Sequence, residues 1–452
     1  MADPDPGALL PHCRRAVELA RKAGADEAEA FAEETRTVSA RAEQNDLAGA
    51  EHQESRALGL RVLCRGATGF YALNRLDEPA LDEAARVAVA LARAGRPEDG
   101  PVLADPEPPA PVAGLYDEEV ASTEVPRAVE HCHALLAAAR GTDARVSMDG
   151  VEVAFSVSRH AVANSRGVGD EEVQTSAAAS LFGMAIDGED VTSFDHEVDA
   201  HVRLAALTGV RAARELARRL ISFLGAGAWD GPSRPRVVLA PEVLGELLVD
   251  PLVASLDGES VRAGRSGLRD RRGAVVSVPG FELVDDPTAP GEVGSEAFDR
   301  EGRPHRTTPI LLEGVLQTFL HTTDSARRLG DRPTGHASGG ARSLPSADAS
   351  RLLVGGGSAS LGDLLAEAGE GLYVGRFSGS VDEVSGDFSG VAKCSFRIRG
   401  GKLAEPLRET TLAGNAYSAL KAVRGLTRER KALPGRVYPH ALVDGLDVSG
   451  AD

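Results

Sequence analysis

Near the middle of the chain, His196-Glu197-Val198-Asp199-Ala200-His201 spells His-Glu-x-x-x-His. Two imidazoles with a carboxylate between them are the donors and general base that zinc-dependent peptide hydrolysis requires. On an ideal helix of 3.6 residues per turn, however, that spacing sets the two histidines about 140° apart, unlike the shared face of i, i+4. The alternation of Val198, Ala200, Val202 and Leu204 predicts a strand instead, with His196 and Glu197 on opposite sides. A second group, Asp285, Asp286, Asp299, Glu301, His305 and His321, is put forward as lining a substrate cleft. Its Asp-Asp-Pro and Asp-Arg-Glu-Gly pieces equally suit turns.

Other chemistries find less support. Gly355-Gly356-Gly357 and Gly339-Gly340 are not followed by Gly-Lys-Ser/Thr and are not expected to join a strand to a helix, which argues against phosphate loops. Such glycines permit positive φ in turns or let a peptide backbone approach closely. No Gly-x-Ser-x-Gly elbow is present for a serine hydrolase. Cys13, Cys64, Cys132 and Cys394 are isolated, a pattern of reduced structural cysteines.

The elements that would position these groups follow from periodicity and breakers. A helix is expected over 8–23, strands over 29–41 and 55–70, and a helix from Pro79 to Gly95. Six prolines between Gly95 and Leu115 favour extended chain. Beyond them come a helix over 125–140, strands over 145–202 and a helix over 208–224. After Pro235 short apolar runs and glycines predict mostly strands, with helical islands at 242–256, 360–368 and 417–423. The fold class is therefore α+β. Its expected division is an N-terminal α/β domain (1–95), a Pro-rich linker (96–115), a central helix-strand domain (116–230) and a β-rich C-terminal domain (231–452).

The 452 residues carry 50 Lys+Arg against 68 Asp+Glu, a net charge of -18, which opposes binding to a nucleic acid backbone. No apolar run approaches the roughly 20 residues that span a bilayer, and Met1–Gly7 is acidic and Pro-rich rather than a secretory signal. A cytoplasmic location is expected.

The stretch Asp299-Arg-Glu-Gly-Arg-Pro-His-Arg-Thr-Thr-Pro-Ile-Leu-Leu-Glu-Gly-Val-Leu-Gln-Thr-Phe-Leu-His321 resembles a motif of the TldD/PmbA family. In order around it stand Gly59-Leu60-Arg61-Val62, Gly69-Phe70, Asn164-Ser165, Val284-Asp285-Asp286-Pro287 and Pro333-Thr334-Gly335-His336. Gly371–Val374, Ser385-Gly386-Asp387-Phe388-Ser389 and Thr411–Asn415 complete the series. The forms Gly-Asp-Phe-Ser and Asp-Asp-Pro look more like the TldE (PmbA) subunit than like TldD.

That resemblance implies a family in which one subunit type is a zinc peptidase and the other carries no metal. In the TldD type, a helix directly after a Val-Val-Leu strand carries His-Glu-x-x-x-His, and a cysteine from the C-terminal region is expected as third ligand. Here Pro235-Arg-Val-Val-Leu-Ala240 leads into a helix offering only Glu242, Glu246 and Asp250, and Cys394 falls well before the region where the ligand belongs. The expectation is a heterodimeric, TldE-like subunit without catalytic, cofactor-binding or metal residues of its own. It would shape a cleft for unfolded or modified peptides beside a TldD-like partner that holds the zinc. Two alternatives remain: a stand-alone zinc peptidase using His196, Glu197 and His201, and a peptide-binding protein without catalysis. The family's older label, modulator of a DNA gyrase, gains no support as direct DNA binding.

Overall fold

A computed structural model describes residues 8–408 and 410–450; Met1–Gly7, assigned above as no signal, lies outside the described residues. The architecture is mixed α+β, as expected. A seven-stranded antiparallel sheet comes first, built from β1 (Glu27–Glu43), β2 (Asp46–Cys64), β3 (Ala67–Leu73), β4 (Val146–Asn164), β5 (Gly169–Asp187), β6 (Asp190–Val191) and β7 (Asp195–His201). Its order is β3-β2-β1-β4-β5-β6, with β7 also on β5. The expected strand over 55–70 is two strands, because Arg65 and Gly66 turn the chain at φ 52° and 78°. Strands from the expected N-terminal and central domains share this one sheet, since Glu29 to Glu43 pair with Asn164 to Gly150.

Period-two alternation explains how the sheet is covered. On β1 the even positions Ala28, Ala30, Ala32, Val38, Ala40 and Ala42 are buried. Helices α1 (Leu10–Lys22) and α2 (Glu78–Ala94) cover the first three, with Leu58, Leu60 and Val62. Past the short α3 (Glu118–Ala121), helices α4 (Val125–Arg140) and α5 (Gly209–Ile221) cover the rest of that face. The odd positions Glu29 and Phe31 point the other way, and the second half of the chain buries them: Phe31 packs with Ala297, Phe298 and Ala341. At Gly59 of β2 a Cβ would stand 2.2 Å from the Ala341 carbonyl oxygen, so this approach of backbone to sheet requires glycine. The Pro-rich segment crosses beside it without regular structure, held where Asn164 donates to the Ala104 carbonyl at 2.8 Å.

The second half forms a ten-stranded mixed sheet and a four-stranded sheet around one large core. Strand Arg236–Leu239 lies between Arg436–Val443 (antiparallel) and Gly371–Val374 (parallel). It leads into helix Pro241–Leu244, a π-turn over Gly245–Val249, and helix Asp250–Ala254. Among the expected islands, 417–423 is shorter than expected, a helix over Ala416–Leu420 capped by the Asn415 side chain. The glycine run 355–357, expected not to join a strand to a helix, does lead from strand Leu352–Val354 toward helix Leu361–Ala368; at Gly357 the close approach is to the chain's own Leu426 carbonyl, 2.1 Å from a Cβ built there.

Four buried charges clamp the halves together. Arg61 Nη2 on β2 bonds Glu29 Oε2 at 2.9 Å and Glu301 Oε1 at 3.0 Å, while Arg300 Nη1 bonds Glu29 Oε1 at 3.2 Å. Removing one member of such a set leaves an uncompensated buried charge. Glu301→Ala is therefore expected to destabilise the protein by about 3–5 kcal/mol, read from urea unfolding followed by circular dichroism.

Candidate functional site

The loops around the motif segment face the sheet across a cleft of about 340 Å³. One wall is the odd face of β1 and its neighbour β4, with Phe31, Glu33, Thr35 and His160; the other carries Glu296, Phe298, Asp299 and His305. A second cavity of about 480 Å³ shares Ala349 and Ser350 with it and extends to Asp250, Asp257 and Arg436. Together they make a groove running from the sheet toward the helix after Arg236–Leu239.

The six cleft candidates from the sequence divide by role. Asp299 organises its loop: Oδ1 accepts from the backbone N–H groups of Glu301 and Arg303, each at 2.9 Å, and Oδ2 accepts from Ala337 N at 3.0 Å. Burial, then the Glu301 charge, push its carboxyl upward against those donors. Glu301 is part of the buried clamp, and its Oε2 accepts from Thr323 N at 2.7 Å. Asp285 is buried, accepts from Ser350 N and Arg351 N at 3.1 and 2.6 Å, and stands 3.1 Å from His336 Nε2. Asp286 does turn chemistry, accepting from the Thr288 and Thr307 hydroxyls at 2.9 and 3.0 Å. His305 lines the cleft, but His321 does not: it is buried by Ser325 and Asp331, at 3.3 and 3.5 Å.

Four further residues that pattern alone did not put forward complete the site: His160, Glu172, Glu296 and His336. His160 and Glu172 are cross-strand partners on β4 and β5, 3.9 Å apart at Nε2 and Oε2, a pairing that only the register reveals. Glu296 Oε2 is 4.0 Å from His305 Nε2. His336 ends Pro333-Thr334-Gly335-His336, whose spacing carries no sign of its meeting Asp285. Three histidine–carboxylate pairs thus stand side by side. His160 Nε2, His305 Nδ1, Asp285 Oδ2 and both ring nitrogens of His336 are buried without an aligned hydrogen-bond partner. Such atoms are costly in a packed interior and concentrate at working sites.

Their electrostatics follow from burial. Desolvation lowers His160 to about 4, and desolvation with the neighbouring His336 lowers His305 to about 4. Glu296 keeps 38% of its side-chain surface, yet it is packed beside two other acids. Desolvation, then Glu172 and Asp285, raise it to about 7.

Residues on the helix after Arg236–Leu239 do not fit a zinc ion. Its carboxylates are committed or held back: Glu242 Oε1 is 2.6 Å from Lys431 Nζ, Asp250 is 3.5 Å from Arg436, and burial raises Glu246. The hexad lies on β7, a strand as expected, though it ends at His201 before Val202 and Leu204, and Val198 is exposed while Glu197 and Asp199 turn inward; His196 therefore faces away from Glu197 and His201. Glu197 is held by Arg219 at 2.9 Å and Lys431 at 2.8 Å, and His201 by Asp199 at 2.8 Å. Among the described residues no three His, Cys, Asp or Glu side chains gather in a metal-binding arrangement. Cys394 is buried with φ 49°, and burial pushes its thiol up, away from the thiolate that metals take.

A raised folded-state pKa for Glu296 means that the native state binds the extra proton between about 4.5 and 7, so this residue's contribution falls as pH rises through that window. His160 and His305 act oppositely, losing stability as pH falls from 6.5 toward 4. Glu296→Gln is accordingly expected to raise the melting temperature relative to wild type above pH 7 and to leave it unchanged below about 4.5, in a pH series of thermal melts.

Comparison with known proteins agrees over nearly the whole chain. Residues 232–450 match the PmbA/TldA metallopeptidase C-terminal domain and residues 28–92 match PmbA/TldA metallopeptidase domain 1. A metalloprotease PmbA homolog of Haemophilus influenzae is 28% identical over 442 residues, covering 96% of this chain and 94% of that one. A metalloprotease of Methanothermobacter thermautotrophicus is 28% identical over 402 residues, 83% of each chain. The solved structure of TldE from Thermococcus kodakarensis superposes with a TM-score of 0.86 at 20% identity, over 97% of this chain and all of that one, and so shares the fold. With both domain matches in chain order and the fold in common, the chain belongs to the PmbA/TldD metallopeptidase family.

Proposed function

We propose that this chain is the TldE-like, metal-free subunit of a heteromeric TldD/TldE-type metallopeptidase acting on unfolded or modified peptides. The observation that carries the reading is the helix after Arg236–Leu239. It holds neither histidine nor cysteine, and two of its three carboxylates are ion-paired to Lys431 and Arg436. Zinc takes imidazole, thiolate or uncommitted carboxylate donors, which a TldD-like partner would supply. On that partner the metal would polarise the scissile carbonyl and activate water.

This subunit would contribute the groove. Walls of loop and strand backbone favour an extended chain, bound by main-chain hydrogen bonds with tolerance of sequence. A half-open cleft of about 340 Å³ takes a few side chains at a time, which selects unfolded over folded substrate. The reading also proposes a heterodimer located in the cytoplasm.

Elemental analysis of the purified chain, followed by peptidase assays alone and after mixing with a TldD-like chain, tests this reading. The expected result is substoichiometric zinc, no activity alone, and activity in the mixture. One zinc per chain, lost on His196→Ala, would instead establish a stand-alone peptidase. Peptide binding that stays without hydrolysis in the mixture would establish the binding protein.

A further inference from the structure

A third cavity, apart from the cleft loops, is lined by several residues already described. His196, Glu242 and Cys394 all line one cavity of about 480 Å³, where β7 and α5 meet the second sheet. Its volume falls within the range of small-molecule sites, and its walls have the matching character, apolar with a few placed polar groups. Phe223 at the end of α5 meets Phe396 at 5.1 Å between ring centroids, and Tyr373 lies 6.4 Å beyond, so three rings form one side. Leu403 is 41% exposed and also lines the cavity.

The charges around the cavity decide what it can hold. Arg219 bonds Asp195 and Glu197, and Lys431 bonds Glu197 and Glu242 at 2.8 and 2.6 Å. Every acid in that set already has its cation, so a cationic ligand finds no uncommitted acceptor there. Arg376 differs. It lines the same cavity, its Nε is buried without a partner, and no carboxylate of the described residues lies within ion-pair distance. Glu246 feels its charge, but burial and Asp250 hold that carboxyl toward its neutral form. Tyr373 Oη and His440 Nε2, 3.4 Å apart, add a second polar point.

We propose that this cavity binds a small molecule with a planar aromatic body and a single carboxylate, the ring against Phe396 and Tyr373 and the carboxylate on the Arg376 guanidinium. Aromatic walls favour offset or edge-on stacking of such a body. A guanidinium without a partner offers two parallel N–H donors that match a carboxylate. A dianionic phosphate suits the cavity less, because Asp195 and Glu242 also border it. The carboxylate can come from a free aromatic acid or from the C-terminal residue of a peptide, and both present the same chemistry. This site is independent of the groove and of the reading proposed for it.

The test uses the purified full chain and 2-naphthoate, with binding measured by calorimetry. Saturable binding is expected, with 2-naphthamide weaker by about tenfold or more, the loss of one charge-assisted pair. Arg376→Gln should weaken 2-naphthoate by a similar factor while leaving 2-naphthamide unchanged, and the variant's circular dichroism and melting temperature should match wild type. The amide comparison needs no variant, so it decides the question even where Arg376→Gln folds poorly. Absence of saturable 2-naphthoate binding at millimolar concentration, or equal affinity for acid and amide, would overturn the proposal. N-acetyl-phenylalanine binding more tightly than 3-phenylpropionate would support a peptide end as the source; the reverse order would support a free acid.

Discussion

Everything about the cleft depends on one neutral set of buried charges, Glu29 and Glu301 with Arg61 and Arg300. Glu29 and Glu301 have no exposed surface, and the two arginines retain 7% and 4%. Ions so placed gain little over a well-packed apolar cluster, because desolvation cancels most of their attraction. What they do provide is a single register. Arg61 must meet an acid from its own sheet and one from a loop 240 positions away, and Glu301 must also receive the Thr323 N–H. Arg300 additionally lies 4.1 Å over the Phe31 ring, so apolar packing and ion pairing fix the same approach. With residues 300 and 301 held, Asp299 is carried into position to gather Arg303 and Ala337, and the cleft wall follows.

Much of the fold was legible because its signals are local. Leu58, Leu60 and Val62 alternate and are all buried, and the hexad at 196–201 is the strand that Val198 and Ala200 predicted. The long hairpin ladders extend those patterns without changing them. What local pattern could not show is the reason for Glu29 and Phe31, which sit on the face opposite the helices. Their burial depends on a loop some 270 residues later. The turn at Arg65–Gly66 leaves one local sign, a change of phase from the even positions Leu58 to Cys64 to the odd positions Ala67 and Gly69, which a reading of one continuous strand passes over.

The candidate site was legible to a lesser degree. Asp285, Asp299 and His305 were named, and the structure brings them to the cleft or its rear wall. His321, on the same motif, went elsewhere because the helix at Thr323–Leu329 and Asp331 enclose it. Glu301 was named for chemistry and turned out to hold the halves together. The missing members show why: His160 is twelve residues from Glu172, and only β4–β5 register sets them opposite. Glu296 follows the buried Ser295 in a loop whose sequence carries no special composition. Contacts made by register and by loop packing leave little trace in spacing.

The electrostatics of the cleft bear on what an extended chain would meet there. Near neutral pH His160 and His305 are uncharged, and Glu296 stands close to its midpoint. Asp299 already receives three backbone donors, and Arg300 is occupied by Glu29. The fixed charge left to select a substrate side chain is therefore small, essentially the Glu33 carboxylate on the β1 wall, which has no ion pair among the described residues. Neutral imidazoles and a half-protonated carboxyl can each donate or accept, which suits peptide groups of either polarity. A cleft with those properties would bind backbone in preference to particular side chains, and the proposed role beside a metal-bearing partner calls for that tolerance.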